Sequence, residues 1–258
     1  MITNVGFYIL GNLFLASRLA ITAKDEKISR NNFFIMLSIQ LASFIFLEFN
    51  KYIYLAIGVV LLSNILYYKL EKKTKKINKL RLLFLIVLLV ILGVIFAPGL
   101  GTKPNPQVLG LLNSVSFYLI PQNSISGLEW KKILIIVFGL LLATSETNLV
   151  IRYIFDKLDL APKLPKKSNE SKIDQKEYNA GRIIGILERT LIFILVLLSE
   201  FGAIGFIIAA KSVTRFKELE KREFAEYVLI GTLLSTTLAI LIAGITSYLL
   251  KPIPFSGP

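Results

Sequence analysis

The groups able to do chemistry in this chain are carboxylates, amines, guanidiniums, hydroxyls and amides, because its 258 residues include neither cysteine nor histidine. That excludes disulfides, thiolate nucleophiles, thiolate or imidazole metal sites and a histidine general base. The densest charged set inside apolar sequence lies in the C-terminal third: Glu188, Arg189, Lys211 and Arg215, with Glu200 between them. An ionisable group in hydrocarbon is costly, so it is either paired or functional. A reversal at Glu200-Phe201-Gly202, where glycine permits a tight turn, folds this stretch into an antiparallel hairpin. With each helical residue rising about 1.5 Å, Glu188 falls beside Lys211, and Arg215 lies level with Gly185. The product is a carboxylate next to an ammonium. Such a pair either fixes hairpin register or forms part of a site for a small anion, a lipid headgroup or an ion. Glu146 and Asn148 near the end of one apolar run, and Arg18 in another, come to a similar depth. The expected ligand-binding cluster is therefore Arg18, Glu146, Asn148, Glu188, Arg189, Lys211 and Arg215.

Other polar features carry less. Asp156 and Asp159 have the two-acid spacing of some magnesium-binding prenyltransferases, but the further acids and a second acidic motif are missing. No phosphate-binding glycine loop, HExxH pair or Gly-x-Ser-x-Gly elbow is present. Neither a metal nor a cofactor is expected. Gly181 and Gly185, then Gly202, Gly205, Ala209 and Ala210, suit close helix packing. Thr232, Ser235, Thr236 and Thr237 suit hydrogen bonds along or between helices.

The elements that must position these groups are membrane helices. The sequence is 54% apolar with a mean hydropathy of +0.66, and its apolar residues come in near-continuous runs. A run of about 18 residues crosses a hydrocarbon core roughly 30 Å thick. The reading is an all-α membrane protein of about eight transmembrane helices: 5–21, 33–47, 52–68, 82–97, 132–151, 183–199, 203–216 and 227–250. Glu48-Phe49-Asn50-Lys51 is a tight turn. In 98–131, Asn105-Pro106 provides a cap and a first-turn proline, followed by apolar residues at helical spacing as far as Pro121. That stretch is too short to span and reads as an outer interfacial or re-entrant helix. Trp130-Lys131-Lys132 is an interface anchor.

A net charge of +13 would suggest nucleic acid in a soluble protein, but here it reads as topology, and no nucleic-acid partner is expected. Twenty-three of the 30 Lys and Arg residues fall in 22–32, 69–81, 152–182 and 211–222. Five lie opposite them: Lys51, Lys103, Lys131, Lys132 and Lys251. Basic residues near span ends face the cytoplasm, so both termini are expected outside a bacterial inner membrane. The first segment has no basic residue before its apolar run, which favours a retained span over a signal peptide. The Lys72–Lys76 run suits anionic lipid headgroups. Residues 161–179 mix Pro, Lys, Ser, Asn and acids and form a solvated linker. It divides a five-span part, 1–160, from a three-span part, 180–258.

The C-terminal strings also resemble a known family. Ala180-Gly181-Arg182-Ile183-Ile184-Gly185-Ile186-Leu187-Glu188-Arg189, Ala203-Ile204-Gly205-Phe206, Ala209-Ala210-Lys211-Ser212, Arg215-Phe216, Glu226-Tyr227 and Ile230-Gly231-Thr232-Leu233-Leu234-Ser235 together resemble the signature of domain-of-unknown-function family 3307, a bacterial membrane family. The N-terminal half departs from the family pattern, which often opens with a motif containing His and Asp. The resemblance implies a membrane protein with no assigned reaction. It also implies that Glu188, Arg189, Lys211 and Arg215 act as one unit. Three function classes fit the residues. The first is binding or transport of a small anionic ligand, lipid headgroup or ion at the charged cluster. The second is a membrane enzyme on a lipid-linked substrate, with Glu188 or Glu146 as acid or base. The third is a scaffold acting through a protein partner or a second copy, with 161–179 as its sensitive segment. Binding is favoured over catalysis.

Overall fold

The computed structural model describes residues 5–22, 27–97, 100, 102–108, 110, 127–158, 175–214 and 222–251. Outside them lie Arg215, Asp159, most of the expected linker and most of the expected interfacial helix. Of the described residues 89% are helical and none forms a strand. Four helices are long and apolar enough to cross a membrane: Lys51–Lys73, Ile77–Ile95, Lys131–Leu158 and Ala225–Leu250. The expected eight spans are thus met by four at full length. Val5–Leu19 and Phe201–Val213 are apolar but shorter. The expected second span stops as an α-helix at Ala42 and tightens into a 3₁₀ turn, Ser43–Phe46.

The chain divides into two compact units, Met1–Leu141 and Leu142–Pro258. Unit 1 contains α1 (Val5–Thr22), α2 (Arg30–Ala42), α3 (Lys51–Lys73), α4 (Ile77–Ile95) and α5 (Gly127–Leu141). Local chemistry sets their starts. Ser29 caps α2 by accepting from the Asn32 amide, and Asn50 caps α3 by accepting from Tyr52 and Ile53, each satisfying helix donors that have no intrahelical partner. The turn after the 3₁₀ segment is held from outside: Glu48 N–H donates to Lys103 O and Asn105 N–H donates to Phe46 O. Asn105 Oδ1 also accepts from the Gln107 amide at 3.0 Å, and residues 106–108 that follow are helical.

Burial follows helical spacing. Ile53, Ala56, Val60, Asn64, Tyr67 and Glu71 line one face of α3, and Arg81, Phe84, Leu85, Leu88, Leu92 and Ile95 line one face of α4. Three- and four-residue steps place these side chains on a single stripe. The opposite faces, with Leu55, Leu62, Leu66, Val90 and Val94, are exposed and apolar, as in a helix bundle solvated by lipid. Helix α1 meets α5 closely at Gly11, where a Cβ would stand 2.7 Å from the Phe138 ring. Alongside, Asn12 Nδ2 donates to Leu134 O at 3.0 Å.

Unit 2 contains a π-helical turn (Leu142–Glu146), α6 (Thr147–Leu158), α7 (Gln175–Leu197), α8 (Phe201–Thr214) and α9 (Arg222–Leu250). Helix α7 begins at Gln175, inside the stretch expected as linker. Helices α7 and α9 pack on each other. On α9 the buried face is small or hydroxylic, namely Ser235, Thr236, Ala239, Ala243 and Thr246, whereas α7 buries Ile192, Phe193 and Val196. Small residues on one helix let the bulky ridge of another approach.

The reversal between α7 and α8 differs from the expected glycine turn. Ser199 takes φ 63°, its N–H donates to Val196 O, and the Glu200 N–H donates to Leu195 O. This is the left-handed helix stop that usually uses glycine, here made by serine, while Gly202 lies in the first turn of α8.

Candidate functional site: charged helix faces in each unit

The site in unit 2 begins with five consecutive polar residues, Thr144-Ser145-Glu146-Thr147-Asn148, in otherwise apolar sequence. Short hydroxyl side chains compete for backbone bonds, and here the helix widens to π register at 142–146. Thr147 Oγ1 donates to Leu142 O at 3.2 Å. Arg189 Nη2 donates to Thr144 O at 3.0 Å. A π turn leaves carbonyls without their usual amide and recurs at functional positions. In this one a guanidinium from α7 takes up a carbonyl.

Arg189 is 3% exposed. Its Nη1 also donates to Ser235 Oγ on α9 at 3.3 Å, so one planar head joins three elements. Gly185 lies one turn earlier beside this head, where a Cβ would make an ordinary contact 3.5 Å from Nη1. Glu146, Ser145 and Thr147 in the same turn are buried, while Asn148 is half-buried on α6.

Glu188, the neighbour of Arg189, points to a different helix. Lys211 Nζ on α8 lies 2.5 Å from Glu188 Oε2, with the two side chains 18% and 16% exposed. Adjacent residues on a helix are about 100° apart, which separates two roles. Arg189 braces the π turn and α9, whereas Glu188 holds Lys211. Lys211 also lines a cleft of about 180 Å³ between α8 and α9. Its walls are Ile208 and Ser212 on α8, with Ala225, Val228, Leu229, Thr232 and Leu233 on α9. The result is a mainly apolar slot carrying one ammonium and two hydroxyls.

Arg18 belongs to unit 1 and to a cluster that sequence reasoning missed. Its Nη2 donates to Arg81 O at 3.0 Å, and its guanidinium lies over the Phe84 ring at 5.4 Å. Tyr67 stacks on Phe84 with centroids 4.2 Å apart and planes 13° from parallel. Arg81 Nε and Nη2 both donate to Glu71 Oε1, at 3.0 and 2.7 Å, and Nη1 donates to Ile21 O at 2.9 Å. Glu71 and Arg81 are 0% and 1% exposed. Both fall in the 69–81 stretch that the charge count assigns to a loop. Instead α3 runs on to Lys73, α4 starts at Ile77, and only residues 74–76 turn. A further chain of amides crosses the same unit: Asn64 Nδ2 donates to Gln40 Oε1 at 2.8 Å, and Gln40 Nε2 donates to Ser17 Oγ at 3.0 Å.

Of the seven expected site residues, then, Glu188 and Lys211 are in contact, Arg189 and Glu146 are buried at or against the π turn, and Asn148 is beside it. Arg18 is part of the unit 1 cluster, and Arg215 lies outside the described residues. Among the described residues no group of three acidic side chains converges as a metal site would require. Comparisons of the chain with protein-family models, curated proteins and solved structures find no match.

Proposed function

We propose that this chain is a multi-pass protein of a bacterial inner membrane that binds a lipid at the α8–α9 cleft, with an anionic headgroup on Lys211. The observation that carries the reading is the composition of the cleft. Seven of its eight lining positions are apolar or hydroxylic side chains suited to an acyl chain, and the ammonium is the single cation among them. An amphiphile with a negative head matches that pattern, because the chain replaces lipid contacts while the head gains charge-assisted hydrogen bonds. Glu188 orients the ammonium at the cleft wall. The excess of Lys and Arg in 69–81, 152–182 and 211–222 supports an orientation in which this end of α8 meets the cytoplasmic leaflet. Kinship of the C-terminal third with domain-of-unknown-function family 3307 belongs to the same proposal and rests on the quoted strings.

The test is native mass spectrometry of the detergent-solubilised chain with added phosphatidylglycerol or phosphatidylcholine. Wild type is expected to retain one phosphatidylglycerol in preference to phosphatidylcholine. Lys211→Met and the cleft-filling Leu229→Trp should both lose it, while Lys79→Met, an exposed lysine on α4, should keep it. Equal retention by wild type and Lys211→Met overturns the proposal.

A further inference from the structure

Unit 1 carries a row of buried polar atoms that the lipid reading does not use. Asn64 Oδ1, the Tyr67 hydroxyl and Glu71 Oε2 have no hydrogen-bond partner, and their residues are 0%, 2% and 0% exposed. They stand at three- and four-residue steps on α3, one above the other on a single face.

Each atom is held where it is by bonds already described. Asn64 uses Nδ2 on Gln40 Oε1 and on Val60 O, both at 2.8 Å, which turns Oδ1 away from them. Glu71 gives a single oxygen, Oε1, to two Arg81 nitrogens, so Oε2 faces elsewhere. The Tyr67 ring is clamped flat against Phe84. Its hydroxyl stands beside the Glu71 carboxylate.

A buried acceptor left unmatched costs roughly 1–3 kcal/mol, and hydrocarbon offers it no partner. Three such atoms on one stripe therefore point to an occupant. Two of them only accept, and the hydroxyl both accepts and donates, so the occupant must donate hydrogen bonds. A cation is disfavoured, because the guanidiniums of Arg18 and Arg81 stand in the same cluster. Asn64 and Glu71 are about 10 Å apart along the helix axis, so more than one small neutral donor is needed to satisfy all three atoms.

We infer that unit 1 binds internal water along this face of α3, with water donating to Glu71 Oε2 and Asn64 Oδ1 and accepting from the Tyr67 hydroxyl. Buried waters typically make about three hydrogen bonds to groups of this kind. With the Asn64–Gln40–Ser17 amide chain, the bound water forms a polar seam through the bundle that connects α3 to α2 and α1. The ligand class is water, held as part of the fold and in contact with a buried carboxylate.

Pulsed X-ray hydroxyl-radical footprinting of the full chain in nanodiscs tests this. Radiolysis of a bound water labels the side chain beside it, whatever that side chain's exposure to bulk solvent. Tyr67 should be oxidised several-fold faster than Phe14 and Phe44, which are equally buried aromatic rings at 1% exposure, and comparably to exposed Tyr54. In Asn64→Leu the Tyr67 rate should fall toward that of Phe14. Tyr67 as silent as Phe14 in the wild-type protein overturns the inference, and that measurement needs no variant to fold. Undiminished labelling in a folded Asn64→Leu removes Asn64 from the site and overturns the seam as drawn.

Discussion

Arg81→Met isolates the buried charge cluster of unit 1. The substitution keeps an unbranched apolar stem of similar length on α4 and removes the guanidinium. Among the described residues it takes with it two bonds to Glu71 Oε1 and one to Ile21 O. What remains is a carboxylate at 0% exposure and an unmatched carbonyl. Breaking a buried pair by deleting one partner typically costs about 3–5 kcal/mol. For a chain of this size each kcal/mol lowers Tm by roughly 2–4 °C, so the expected loss is about 6–20 °C. The assay is thermal unfolding of the detergent-solubilised chain, followed by intrinsic fluorescence and checked by the onset of aggregation. Glu71→Leu should be similarly damaging, since it strands Arg81. The double variant Glu71→Leu/Arg81→Met should recover most of the loss, because an apolar pair of similar volume is often close to neutral in place of a buried ion pair. Singles within about 1 kcal/mol of wild type would refute the reasoning, since exposed pairs contribute that little. A double variant that sums the two singles would refute it equally, because the two residues would then act independently.

Two further outcomes follow from the geometry of unit 2. Ser199→Gly should raise stability by about 0.5–1 kcal/mol, because φ 63° is strained for serine and open to glycine, and a lower midpoint in thermal unfolding would count against the helix stop described. Arg189→Lys should cost about 1–3 kcal/mol, since one ammonium cannot reproduce the planar head that reaches both Thr144 O and Ser235 Oγ. Hydrogen exchange should then speed at 142–148 but not in α3, and unchanged protection of that stretch would show that the π turn does not depend on the guanidinium.

Much of this was legible without coordinates. Apolar runs separated by basic stretches specify helices and their approximate bounds, because in hydrocarbon every backbone group must bond within its own segment. The fixed rise of a helix and a short turn are enough to set Glu188 beside Lys211, whichever residue makes the turn. The same arithmetic applied to Thr74-Lys75-Lys76 would have exposed the unit 1 cluster. Glu71 and Arg81, and likewise Tyr67 and Phe84, stand at nearly equal distances from that turn. The signal was hidden because seven basic residues in 69–81 read as one loop, and charge counting does not separate a solvated lysine from a buried arginine.

What the tertiary structure alone decided is which polar group faces which neighbour. Sequence places Glu188 and Arg189 together, yet on a helix they point about 100° apart, and only the positions of α8, α9 and the π turn assign one to Lys211 and the other to Thr144 and Ser235. The π turn itself was not readable from its five polar residues. It forms where an arginine from α7, more than 40 positions away, takes up a carbonyl that a regular helix would have used itself. Helical periodicity is a local property, enforced by backbone hydrogen bonds a few residues apart, so the chain carries it openly. Partnership across helices depends on azimuth and packing depth, and many distant residues set those together.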